Sequence, residues 1–315
     1  MASPRRRQVL MGIPGNSHFP NAVSLLLPLS LATVLATAIG FQSGIIRSGA
    51  DTRAAMTAPQ VVTVPAGRFT YRAEGEYFRD GYAVDGPMVD LTMRQNLTIM
   101  KYQVSSANYA RCVAEGGCQQ PEPGFAAPVG GEIPATGISQ DDAHAYAKWL
   151  SERTGAVWRL PSDAELAFAA GSLFPDETLG VAADSENPAL RWLADYERQT
   201  SRKAAGNPVP QSYGSFGENE YGLADFGGNI WEWTASCSHR VTLGKDGEVV
   251  DTAAACGIPV ASGKHRAAMS AFVKNPKSGG CAVGVPPDNL GFRLVKDTRW
   301  YAPLVEKLRA ARLIS

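Results

Sequence analysis

The sequence predicts an α+β domain rich in loops, built on short strands and two principal helices. Three observations carry that prediction. Glycine and proline are abundant, with 32 Gly and 21 Pro in 315 residues, and no repeat recurs at a fixed period. Two segments, behind Ser139 and Ser162, open with helix-capping chemistry. The β-prone stretches are brief and set apart by glycine or proline, at 61–71, 96–101, 240–250 and 290–296.

Each helix has a local reason. Behind Ser139, the residues Ala143, Tyr146, Ala147 and Leu150 recur at helical spacing, and Asp142 takes the third helical position. An acid there suits the helix dipole, while a serine hydroxyl can accept from free first-turn amides. His144 falls among polar neighbours and reads as a solvated or hydrogen-bonded histidine. Ser162-Asp163-Ala164-Glu165 forms a capping box with Pro161 ahead and Gly171 at the far end. Glu165 therefore has a sufficient structural role. Thr298–Ser315 reads as an amphipathic helix, with Trp300, Tyr301, Leu304, Val305, Leu308 and Leu313 against Glu306, Lys307, Arg309 and Arg312. It is expected to pack on its own domain, with a membrane-surface or partner-binding role as the alternative. Residues 172–218 show neither period, and such a segment is expected to fold against the core.

The first sixty residues differ in composition. No Asp, Glu, Lys or Arg occurs from Gln8 to Ile46, and Ala22–Phe41 is a near-continuous apolar run. Twenty such residues span about 30 Å as a helix, enough for a bilayer core. Arg5, Arg6 and Arg7 precede it, so the positive-inside rule puts the N-terminus in the cytoplasm and the main domain outside. Arg6-Arg7-Gln8-Val9-Leu10 resembles a twin-arginine export signal, and Ala36-Thr37-Ala38 is a possible cleavage site. Export to the periplasm, as an inner-membrane-anchored or cleaved form, is the expectation. The chain is accordingly divided into 1–60 for signal or anchor plus linker, 61–297 for the main domain and 298–315 for the closing helix.

With 44% hydrophobic residues the chain can bury one large core or two smaller ones. A formal net charge of zero argues against a nucleic-acid partner. Five cysteines suit an exported domain. Cys112 and Cys118 enclose a glycine-bearing loop, while Cys237 and Cys256 flank Lys245-Asp246-Gly247-Glu248, which reads as a hairpin turn. Each pair reads as a local disulfide, leaving Cys281 over. None has a zinc-finger spacing.

The most informative stretch is Asn219–Trp233, where Trp231 and Trp233 bracket Glu232 just after a glycine-rich turn carrying Asp225. A carboxylate between two core aromatics must find a cation or several donors. Asp225 and Glu232, with carbonyls from the turn between them, could bind one hard cation, and calcium favours such oxygen-only coordination. The alternative is an ordinary turn followed by a half-buried strand.

Further motifs stand in a fixed order around it: Val64–Phe69, Lys101–Ala110, Pro134–Leu150, Trp158–Gly171 and Asp288–Arg293. Together they resemble the sulfatase-modifying-factor family, whose founding activity is the formylglycine-generating enzyme, over roughly residues 61–297. The resemblance implies the formylglycine-generating-enzyme fold, related to C-type lectins, with small twisted sheets. It implies a structural calcium held by the side chains of Asp225 and Glu232 and the carbonyls of Gly228 and Ile230, with Asp225 in place of a family asparagine. A second family calcium site lacks its asparagine here, in Pro188–Asp195.

The family's oxidase activity uses copper on two cysteine thiolates, the soft ligands that monovalent copper needs. Those thiolates precede the Gly-Phe-Arg closure, and the corresponding stretch, Lys264–Pro276, contains no cysteine. Cys281 matches a different, non-catalytic cysteine of the pattern. Copper and formylglycine chemistry are therefore not expected, and no catalytic residue is assigned. His265, Met269 and Cys281 are the candidates for a displaced copper or redox site; the alternative is a core methionine and a buried or disulfide-bonded thiol. The resemblance implies an exported accessory or maturation protein binding a protein client or peptide in a surface groove, most similar to those accompanying copper nitrite reductases. An oxidoreductase of non-formylglycine type and a non-catalytic ligand-binding module are the alternatives.

Overall fold

The computed structural model describes residues 58–178, 189–190, 193–194, 196–197, 209–278, 287–311 and 313. The predicted export segment, most of 172–208 and Cys281 lie outside them. The chain divides into two units, Met1–Ala55 and Met56–Ser315, and all the described residues belong to the second.

Twelve strands form three sheets among the described residues. The first has the order β1-β6-β12-β7, all antiparallel, from Val61–Val64, Leu97–Met100, Val295–Asp297 and Val157–Arg159. The second runs β10-β9-β8-β3-β4, from Arg266–Ala268, Val249–Ser262, Trp231–Leu243, Glu76–Arg79 and Tyr82–Val84. The short β11 (Leu290–Gly291) pairs in parallel with β8. The third is a ribbon of β2 (Gly67–Arg72) and β5 (Met88–Met93). The expected strand 61–71 is thus two strands belonging to different sheets, broken at Pro65-Ala66. The expected strand 240–250 is the tip of a far longer hairpin. Its turn closes through Gly244 N–H to Glu248 O at 2.9 Å, with Gly247 at φ 82°.

The described elements also include the α-helices α1 (Ser106–Ala114), α2 (Gln140–Thr154), α3 (Asp163–Ala170) and α4 (Ala302–Ala310), with a 3-10 turn at Gly171–Leu173 after α3. Both expected caps form. The Ser139 hydroxyl accepts from Asp142 N–H and the Ser162 hydroxyl from Glu165 N–H, each closing a capping box. Glu165 also grips Arg159 with both oxygens, at 2.6 and 2.7 Å. His144 is exposed. Both cysteine pairs are joined, Cys112–Cys118 across the end of α1 and Cys237–Cys256 across the β8–β9 hairpin.

Two apolar clusters fill the interior. One gathers Tyr109, Tyr146, Trp149 and Leu150 from α1 and α2 against Trp231, Trp233 and Phe292. The other packs Leu166 and Phe168 of α3 against Val64, Ile99 and Val295 of the first sheet, with Leu223 and Phe226 of the turn before β8. The segment from that turn into β8 therefore contributes side chains to both cores, one after the other along the chain.

Candidate functional site

The turn before β8 is organised by its own polar side chains. Asn219 Oδ1 accepts from the amides of Tyr221 and Leu223, and its Nδ2 donates to Ala169 O at the end of α3. Asp225 adopts φ 60°, a left-handed conformation that aspartate tolerates better than most residues. Its two oxygens accept from Gly214 N–H at 2.7 Å and Phe216 N–H at 2.8 Å, drawing the 214–216 loop onto the turn. Gly228 lets the Phe216 ring lie against the turn, since a Cβ there would be 2.4 Å from that ring and would displace it. Trp231 and Trp233 then enter the core, their indole N–H groups donating to His265 O and Ile138 O.

Glu232 and Arg293 are both fully buried and form a two-point ion pair, at 2.5 Å from Nε and 2.7 Å from Nη2. Gln103 Nε2 donates to Glu232 Oε1 at 2.8 Å and to Asp225 O at 3.2 Å. Arg293 also donates to the carbonyls of Lys101 and Ala224, both at 2.9 Å. One guanidinium thus ties together β8, the 100–103 segment and the turn. The cation and the donors that Glu232 requires come from residues far away in sequence.

The same geometry bears on the expected calcium. Asp225 and Glu232 are both at 0% exposure with Arg293 as the countercharge, which leaves the three-residue cluster at net −1 in the interior. Gln103 Oε1, on the side chain that touches both carboxylate residues, is a buried acceptor without a donor. Buried unpaired oxygen and residual negative charge both favour a hard cation. The Asp225 and Glu232 carboxylates would be the side-chain ligands of such an ion; in this structure the first accepts two backbone amides and the second binds Arg293.

Two of the three candidate residues for a displaced copper or redox site, His265 and Met269, flank β10. Its residues alternate between two faces. His265, Ala267 and Met269 are buried, and Met269 belongs to the larger apolar cluster. His265 stands edge-on to the Trp231 ring. His265 and Met269 thus stand at the two ends of β10, both buried, whereas Cys281 falls outside the described residues.

Arg266 faces the other way and centres a polar cluster that the motifs did not reveal. It binds Glu177 through Nε at 2.8 Å and its own N–H at 2.9 Å, and reaches Asp163 at 3.3 Å and Arg72 O at 3.1 Å. Beside it Glu74 meets His239 Nδ1 at 2.8 Å. Gly75 allows that approach, since a Cβ on it would sit 2.7 Å from His239 Nε2. Burial, reinforced by Asp163, pushes the Glu74 carboxyl up to about 8. Burial likewise pushes Asp163 up to about 6, against the pull of Arg266. The hint in the sequence was Asp163 at the first position of a capped helix. The other members of the cluster come from distant segments.

The family model described as the Sulfatase-modifying factor enzyme 1-like domain matches residues 47–298, most of the chain. The chain belongs to that family. The Gly-Asn-Ile-Trp-Glu-Trp turn, the Gly-Phe-Arg closure that supplies Arg293, and the mixed fold of small sheets with few helices are what membership leads one to find. "Inactive C-alpha-formylglycine-generating enzyme 2" of Bos taurus is 29% identical over 167 residues, 51% of this chain and 50% of that protein. Its Mus musculus counterpart is also 29% identical, over 48% of its length. The chain thus spans about half the length of these curated relatives. Among solved structures, PvdO from Pseudomonas aeruginosa aligns with a TM-score of 0.49 and 24% identity, over 76% of this chain and 95% of that one.

Proposed function

We propose that this member of the sulfatase-modifying-factor family is exported, held at the inner membrane, and non-catalytic in the family's oxidase chemistry. It acts as an accessory or maturation factor that binds a protein client, of which a nitrite-reductase-type metalloenzyme is the first candidate. One observation carries the non-catalytic reading: Lys264–Pro276 has no thiol, and its inward positions are filled by His265, Ala267 and Met269. The family's copper is held by two negatively charged thiolates, and His265 and Met269 offer only neutral donors in their stead. The names of the bovine and mouse relatives, which call those proteins inactive, support the same direction.

Client binding draws support from loops fixed to rigid supports. The loop bearing the exposed Val129 is tied to α1 by Ser106 Oγ to Pro128 O at 2.7 Å. The loop bearing the exposed Phe272 is tied to the start of α2 by Gln140 N–H to Ala271 O at 2.9 Å. Apolar side chains presented on anchored loops suit recognition of a polypeptide. A structural calcium at Asp225, Gly228, Ile230 and Glu232 completes the proposal; when bound it would stiffen the turn from which β8 starts.

The deciding experiment is aerobic incubation with copper and a Cys-x-Pro-x-Arg peptide, then mass spectrometry for the aldehyde. No product is expected. Aldehyde formation that disappears in Cys281→Ser would overturn the proposal in favour of an oxidoreductase with a relocated metal site.

A further inference from the structure

The structure leaves one face of α4 open. Ala302 is buried, Val305 and Leu308 are half-buried, and the helix lies against β7. On the opposite side Leu304 is 57% exposed, and Trp300, just ahead of the helix, is 89% exposed. Pro303, Lys307 and Ala311 share that outward side at helical spacing. A tryptophan so fully in water is costly, and Trp149, Trp158, Trp231 and Trp233 are all buried. Arg299 is held by Asp297, and beyond that pair the segment carries Lys307, Arg309 and Arg312 against Glu306, in a chain whose formal net charge is zero.

We propose that this outward face of α4, led by Trp300, rests on the surface of an anionic phospholipid bilayer. An exposed indole beside leucine, flanked by cations, matches the headgroup–acyl boundary in chemistry, since indoles favour the interface and Lys or Arg pair with anionic headgroups. The proposal rests on the anchoring reading for one of its arguments. With Ala22–Phe41 in the bilayer, sixteen residues of sequence separate the anchor from residue 58. Tethered through them, the domain meets lipid at high effective concentration, and a weak amphipathic contact is enough to hold α4 down.

The test uses the full chain reconstituted in phosphatidylcholine vesicles with and without phosphatidylglycerol. Tryptophan emission is compared between the natural protein and Trp300→Ala, so that the difference reports Trp300. The expected difference spectrum is blue-shifted, shielded from acrylamide and quenched by brominated lipid, more strongly with phosphatidylglycerol and less in high salt. Leu304→Glu should return Trp300 to water. A red, acrylamide-quenched difference spectrum that ignores brominated lipid would overturn the proposal. So would shielding of Trp300 without vesicles, which would mean a protein partner covers it. Alkaline carbonate extraction reports anchoring separately: protein that is extracted yet shows lipid quenching when mixed with vesicles refutes the anchor alone, whereas anchored protein with a wet Trp300 refutes the docking.

Discussion

Replacing Arg293 with methionine removes the cation from a carboxylate that has no exposure to water. Glu232 would retain one donor, Gln103 Nε2, and the Ala224 carbonyl would lose its guanidinium donor, while Lys101 O would keep the Ala224 N–H at 3.0 Å. Breaking a buried ion pair by removing one partner costs about 3–5 kcal/mol, because the remaining charge is stranded. The orphaned Ala224 carbonyl adds on the order of 1 kcal/mol, so the total should reach roughly 4–6 kcal/mol. That is a large share of the ~5–15 kcal/mol available to a domain. The measurement is urea unfolding monitored through tryptophan emission, in excess chelator so that bound calcium does not contribute. Arg293→Lys keeps the charge but not the planar fork and should lose about half as much. Glu232→Gln alone should cost about 2–4 kcal/mol, and the double variant Glu232→Gln/Arg293→Met should lose clearly less than the two single losses added. If Arg293→Met costs under ~1 kcal/mol, or the double loss equals the sum, the pair does not hold the turn, β8 and the 100–103 segment together.

Chelation should lower the melting temperature: at a calcium concentration of about 100 Kd, binding to the native state alone contributes ~2.7 kcal/mol, or roughly 5–10 °C in a domain of this size; a melting curve indifferent to chelator and calcium would remove the ion from the proposal. Stability should fall as pH rises from about 4.5 to 8, because Glu74, raised to about 8, and Asp163, raised to about 6, hold protons in the folded state that the unfolded chain has already released. That contribution is complete below the ordinary carboxylate range and gone above about 8; Glu74→Gln should flatten the profile, and an unchanged slope would discount the buried carboxyl. Replacing Cys237 and Cys256 with serine should cost about 3 kcal/mol for the loop they close, and Cys112 with Cys118 about 2 kcal/mol, both measurable by denaturant titration. Peptide mapping of the oxidised protein should find Cys281 as a free thiol; a cross-link from Cys281 to another cysteine would contradict that.

What the sequence determined by itself is local or ordered along the chain. Ser139 and Ser162 meet their first-turn amides three residues on, so no tertiary information was needed to read the caps. The two disulfides close spans of 6 and 19 residues, short enough for chain connectivity to bring the thiols together. The ordered motifs were enough for the family. Only the tertiary structure decided what those residues touch. Glu232 meets Arg293 across 61 residues and Gln103 across 129, and a carboxylate between two tryptophans announces a need for a cation without saying which one. The Arg266 cluster draws on β2, the β2–β3 turn, β8, the start of α3 and Glu177, and its shifted carboxyls arise from burial that no single segment reveals. Strand extent was misread for the same reason. β9 is exposed over most of its length and lacks an alternating apolar pattern, so its residues are strand because β8 pairs with them. Caps and turns are set by contacts within a few residues; pairing, ion partnership and burial are set by whatever the fold brings alongside.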